Sequence, residues 1–206
     1  MIDTLASTLV IPTVGIAIAG SFLLATRRRV IAIAALAGQY VFVAWMSLSF
    51  LPVSFGMVRL LTGLLTSGML YQSTLVREQS ATSGALLERL TGKAFRLIAY
   101  GIVLVAAYGV FSSRWFNIPG MEDLVLLSAI GLASSGLLQI GISRESLPIG
   151  MGLITLLCGF EMLYTFLEPS RAMIALQAAV HLALALVISY LDSLLPTSSV
   201  EGDKTR

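Results

Sequence analysis

Seven apolar stretches, at about residues 5–25, 30–50, 56–76, 95–112, 121–142, 147–167 and 171–192, take up most of this 206-residue chain. Each is close to the roughly 20 residues a helix needs to cross about 30 Å of hydrocarbon. With 57% hydrophobic and 12% charged residues and a mean hydropathy of +0.91, little polar surface is left to clothe a water-soluble globule of this length. The pattern specifies an all-α, multi-pass transmembrane bundle of about seven helices.

The basic residues orient that bundle, because cytoplasmic loops retain Lys and Arg. With seven spans and the N-terminus outside, Arg27, Arg28, Arg29, Arg77, Arg89, Lys93, Arg96, Arg144, Lys204 and Arg206 fall on the cytoplasmic side, against Arg59, Arg114 and Arg171 opposite. The expected location is a cell membrane, with the C-terminus cytoplasmic and a prokaryotic inner membrane as the natural setting. Met1-Ile2-Asp3-Thr4 lacks a positive leader and the triple Arg follows the first apolar run, so the first helix is expected to stay in the mature protein. The formal charge of +2 then reports topology, and nucleic acid is not expected as a partner.

Four regions follow: a three-helix block over 1–76, a cytoplasmic connector over 77–95 with a short amphipathic helix around Leu86–Leu90, a four-helix block over 96–192, and a polar cytoplasmic tail over 193–206. Each block contains a helix, a tight basic turn, a second helix with an intramembrane polar group, an outer turn and a third helix. Thr26–Arg29 corresponds to Ser143–Ser146, and Leu51–Ser54 to Glu168–Ser170. That is the pattern of a parallel three-helix repeat, with the fourth helix as connector.

Within this frame Glu161 stands out. It lies about 9 Å inside its apolar run at helical rise, where a carboxylate facing lipid costs on the order of 3 kcal/mol. Gly152, Thr155, Cys158, Glu161 and Thr165 follow one another at spacings of three and four, so a single face is expected, a packing seam of small residues with Glu161 set into it. On the seventh helix Gln177, His181, Ala185 and Ser189 share a face, and the imidazole can titrate near physiological pH. Glu161 and His181 form a relay if their helices meet at similar depth; otherwise His181 serves as an interhelical hydrogen bond. Gln39, about 15 Å into the second helix, reads as interhelical glue, Cys158 as core, and Arg59 as a side chain snorkelling to the outer interface. A single cysteine and a single histidine offer no metal-ligand spacing, no catalytic or haem and iron–sulfur ligand set exists, and no cofactor is expected.

The segment Leu124–Leu191, with Arg144 at a tight turn, Gly159-Phe160-Glu161-Met162-Leu163 in one helix and Gln177 to Leu184 in the next, resembles the three-helix K-type subunit of respiratory complex I. That subunit carries a Gly-hydrophobic-Glu motif in its second helix. The full length, with a three-helix block in front, resembles the E component of formate-hydrogenlyase-type membrane hydrogenases, and related helices occur in the C subunit of multisubunit sodium/proton antiporters. The resemblance implies a non-catalytic membrane-arm subunit of a redox-driven proton or sodium pump, partnered by other membrane subunits, antiporter-like among them. Glu161 then matches the family glutamate, while Gln177 stands where complex I has a second one, with His181 a turn further on. Glu161, His181, Gln177 and Gln39 are the proton-path candidates. The alternatives are a structural or assembly protein in which Glu161 only anchors helices, and a small ion carrier, which predicts broken helices around a midplane cavity.

Overall fold

A computed structural model describes residues 2–26, 28–77, 86–113, 121–168 and 170–194. They form α1 (Ile2–Ala25), α2 (Arg29–Leu48), α3 (Val53–Arg77), α4 (Leu86–Ser112), α5 (Asp123–Ile142), α6 (Ser146–Leu167) and α7 (Arg171–Leu194). Six of these are long and apolar enough to span a membrane, and the apolar part of α1, Leu9–Ala25, is somewhat shorter. The expected all-helical multi-pass bundle is what forms. Residues 78–85 of the connector and 195–206 of the tail lie outside the described residues.

Beside an apolar core, α3 and α7 turn polar residues inward and leave large apolar ones on the outside. On α3 the buried positions include Arg59, Thr62, Thr66, Ser67 and Thr74 beside Phe55 and Leu70, whereas Met57, Leu61, Leu64 and Leu65 are exposed. On α7, Gln177, His181 and Asp192 are buried while Leu176, Leu186 and Val187 face out. Each such outward side chain would forfeit about 1.5–3 kcal/mol in water. Against acyl chains it loses nothing, and the polar groups gain by facing one another.

Two rows of three helices pack together, α1–α2–α3 and α5–α6–α7. Helix α1 lies against α5, α3 against α7, and α2 meets α6 between them, so each helix of one row neighbours its counterpart in the other. The centre is filled by Leu36, Tyr40 and Val43 of α2, Ala129 and Leu132 of α5, and Met151, Ile154 and Cys158 of α6. Short connections at Ser49–Pro52 and Ser143–Glu145 join successive helices. Pro148 occupies the first turn of α6, where its missing N–H would have had no intrahelical acceptor.

Helix α4 sits at the rim, with 11% of its span buried. It packs on α1 and α5, and the Tyr100 hydroxyl donates to the carbonyl of Ala17 at 2.9 Å. The amphipathic stretch Leu86–Leu90, expected as a separate surface helix, is continuous with this span. No proline interrupts it, and Leu86, Leu87, Glu88 and Arg89 are all good helix formers.

Closest contact is between α5 and α6. A Cβ built on Gly136 would lie 2.4 Å from the backbone nitrogen of Leu156, and one on Gly159 would lie 2.6 Å from that of Ala133. Backbone cannot yield as a side-chain tip can. Gly136→Ala should therefore cost about 1–3 kcal/mol, while Gly131→Ala on the same helix, with open space around its Cβ, should be neutral or stabilising through helix propensity. Thermal unfolding of the two variants in detergent checks the difference.

Candidate functional site

Arg59 enters the bundle from the second turn of α3 and stays there, 6% exposed. Its Nη1 donates to Ser47 Oγ of α2 at 2.6 Å, and its Nη2 donates to Thr165 Oγ1 at 2.7 Å and to the backbone carbonyl of Glu161 at 3.1 Å, both on α6. Snorkelling, the sequence expectation, is overturned. Three acceptors converge at the depth of the guanidinium, so its donors are used without reaching the interface. Thr165 Oγ1 itself donates to the Glu161 carbonyl at 2.7 Å. One guanidinium thus links three helices at the residue that carries the buried acid.

The Glu161 side chain is itself buried, and its Oε2 lies 4.0 Å from His181 Nε2 on α7. His181 Nδ1 is 3.0 Å from the backbone carbonyl of Gln177. A carbonyl can only accept, so Nδ1 carries a proton and Nε2 is the nitrogen left to exchange one with Glu161. If both Nε2 and the carboxylate were unprotonated, two acceptors would face each other; a single proton between them resolves the conflict. At 4.0 Å the pair is too far apart for a direct hydrogen bond. Beside it lies a cavity of about 10 Å³ lined by Tyr40, Arg59, Thr62, Glu161 and His181 among others, room for roughly one water that could bridge the two. Tyr40 also meets the imidazole edge-on, with ring centroids 5.9 Å apart.

The four sequence candidates therefore divide. Glu161 and His181 are brought together, and Gln177 holds the imidazole through its backbone carbonyl rather than through its amide, whose Oε1 has no partner among the described residues. Gln39 is 2% exposed, yet both its amide atoms are also without partners, so it is not the direct interhelical link expected of it. Tyr40 Oη, Thr66 Oγ1, Ser67 Oγ and His181 Nε2 are buried polar atoms of the same kind. At helical rise, Tyr40, Thr62, His181 and Glu161 lie at comparable depths from the Arg171 end of the bundle, and Thr66 and Ser67 lie about 6–7.5 Å further in than Thr62.

The expected one-faced stripe on α6 also needs correction. Gly152 packs against Gly136 and Gln139 of α5, whereas Glu161 turns to α3 and α7. Nine residues separate them, about two and a half turns at 3.6 residues per turn, so successive spacings of three wind the stripe half-way around the helix. All five of its members are still buried, because α6 is surrounded.

A second polar junction lies at the opposite end. Arg29 Nη1 donates to Asp192 Oδ2 at 2.7 Å and Nη2 to Glu145 Oε2 at 3.2 Å, tying the start of α2 to the end of α7 and to the α5–α6 turn. Sequence reading placed Arg59 at the interface and passed over Tyr40 and Asp192. The available signal for Arg59 was the small and hydroxylic face it shares with Thr62, Gly63, Thr66 and Ser67; for Asp192 it was the continuation of the Gln177–His181–Ala185–Ser189 face by one further step. Among the described residues no cluster of three or more His, Cys, Asp or Glu is arranged to hold a metal.

Arg59→Leu should lower stability by about 2–4 kcal/mol through loss of hydrogen bonds to a charged donor, whereas Arg171→Gln, at an exposed helix start, should change it by less than about 0.5 kcal/mol; thermal unfolding of the purified protein measures both. Because the chain has one histidine, ¹⁵N labelling reports on a single ring: Nδ1 should be protonated in the native protein and in Glu161→Gln alike. No family model matches this chain, and no curated protein or solved structure does either.

Proposed function

We propose that this protein is a membrane-embedded, non-catalytic subunit of a redox-driven proton or sodium pump of the complex I or hydrogenase type, in which Glu161 and His181 pass a proton between them. The observation that carries the reading is the buried Glu161 carboxylate 4.0 Å from His181 Nε2, beside a cavity of water size. A carboxyl and an imidazole so placed are the two side chains best suited to exchanging protons near neutral pH, and intramembrane acids are functional by default because of what they cost. The Gly159-Phe160-Glu161 segment and the Gln177–Leu184 segment, which resemble the K-type subunit, contribute the two groups. Thr66, Ser67 and Gln39, buried and without partners among the described residues, supply hydroxyls and an amide through which a proton wire can continue inward from the pair. On this reading the N-terminus is outside, the Arg29 end faces the cytoplasm, and the partners are other membrane subunits, antiporter-like among them, alongside lipid.

A structural role is the second reading, favoured by the way Arg59 bonds α3 to both α2 and α6. A carrier built on discontinuous helices receives less support, since α6 runs unbroken from Ser146 to Leu167.

Glu161→Gln separates the first two. It keeps shape and removes the proton-carrying group, and the backbone carbonyl that Arg59 uses is retained. In vesicles containing the assembled complex, proton uptake per electron should fall by about tenfold or more, as for loss of an essential acid–base group, with subunit assembly intact; His181→Asn should act in the same direction. Undiminished proton uptake in Glu161→Gln, with only a lower unfolding temperature, would leave the structural reading.

A further inference from the structure

Arg59 borders two cavities, and among the described residues it alone lines both. The inner one, of about 10 Å³, is the space beside Glu161 and His181. The other, also about 10 Å³, lies between Arg59 and the Arg171 end of the bundle, beside Phe50 and Leu51 of the α2–α3 connection. Apart from Ser47 and Arg59 the walls of this end cavity are apolar. Phe50 and Phe166, two of them, meet edge-on with ring centroids 5.7 Å apart. Each cavity has room for roughly one water.

Charge is divided unevenly across this boundary. Among the described residues no carboxylate lines the end cavity, so a cation entering it meets the guanidinium with nothing beside it to offset the repulsion. Glu161, the group that would attract it, lines the inner cavity beyond. Bonds to Ser47, Thr165 and the Glu161 carbonyl hold the guanidinium between the two spaces, and it stays charged at any pH a protein survives. Those bonds use at most three of its five N–H groups, which leaves donors for water on either side. Water is neutral and is welcome there, whereas an arginine set along a water path is a barrier to protons and other cations. On the α3–α7 side of the inner cavity Val58, Ile174 and Ala178 are apolar and offer an ion no easier entry.

We infer that Arg59 seals the Glu161–His181 pair against cations, hydronium among them, that approach from the Arg171 end, so that the pair exchanges protons with the opposite, Arg29 side. The second half of this inference rests on the proton-transfer reading above; the seal itself rests on the two cavities and the charge between them. One-sided access is what a pump needs, because a group open to both faces at once dissipates the gradient it builds.

Cysteine accessibility in the purified full-length protein tests the seal, with silver ion as a cationic probe and hydrogen peroxide as a small neutral one, in a Cys158→Ala background. Leu51→Cys places a thiol at the end cavity and Ala178→Cys one at the inner cavity. With Arg59 in place, the silver rate divided by the peroxide rate should be at least about tenfold lower at position 178 than at position 51. Arg59→Gln should abolish that difference by raising the silver rate at position 178 and leaving the peroxide rate as it was, while Arg59→Lys, which keeps the charge, should preserve it. An arginine that merely braces the helices would, on removal, raise both rates together; that result, or silver rates indifferent to the residue at position 59, would overturn the inference. Should Arg59→Gln fail to fold, Arg59→Lys decides the matter alone. A lysine can lose its proton as pH is raised and an arginine cannot, so silver discrimination should fade with rising pH in the lysine variant and persist with arginine, Glu161, His181 and Tyr40 facing the cavity in both; equal pH profiles would also overturn it. The assay holds no redox partner and reads entry alone, so a failed proton relay at Glu161 leaves its result standing, and a failed seal leaves the relay untouched.

Discussion

Arg59 carries a fixed charge into the interior of the bundle, and the helices around it offer the acceptors that charge requires. Its hydrogen bonds go to neutral oxygens, the hydroxyls of Ser47 and Thr165 and the carbonyl of Glu161. A guanidinium cannot shed its proton to escape such a place. Its electrostatic complement has to come from groups that share the cavity, and Glu161 is the acid that does so. The fixed positive charge and the buried acid thus line the same small cavity.

His181 completes that arrangement through a constraint on its tautomer. With Nδ1 committed to the Gln177 carbonyl, a proton arriving at Nε2 makes imidazolium opposite a carboxylate, and a proton leaving it for Glu161 restores two neutral groups.

How much of this was legible in the sequence depends on the length of pattern each residue belongs to. Helix positions and the shared face of Gln177, His181 and Ala185 come from repeats sustained over many residues, and they survive folding. Glu161 was visible because a charge in an apolar run has few acceptable positions. Arg59 was not, since a basic residue near a helix end can snorkel or turn inward, and the choice was made by Ser47 and Thr165, which lie 12 and 106 residues away. Gln39 illustrates the same limit in the other direction. Its burial follows from its depth in α2, but whether a neighbouring helix offers it a partner depends on packing that no local spacing encodes. The stripe on α6 failed for a narrower reason: three successive steps of three accumulate to half a turn, and a face inferred from adjacent spacings does not persist over nine residues.

Helix α2 carries a polar anchor near both ends and α7 carries two toward its C-terminal end, and this bears on how Glu161 and His181 keep their geometry. At one end Ser47 of α2 receives Arg59, while at the other Arg29 of the same helix bonds Asp192 of α7. Midway, Tyr40 of α2 meets His181 of α7 edge-on. Helix α3 closes the frame, since Ser189 of α7 donates to the Met69 carbonyl at 3.1 Å. Apolar packing alone supplies little orientation between helices in lipid, because the acyl chains compete for the same contacts. Directional bonds at both ends of α2 and at the C-terminal end of α7 supply it instead, together with the bond from Arg59 to the Glu161 carbonyl itself, so a change at Asp192 would reach the imidazole through the tilt of α7 rather than through any contact with it.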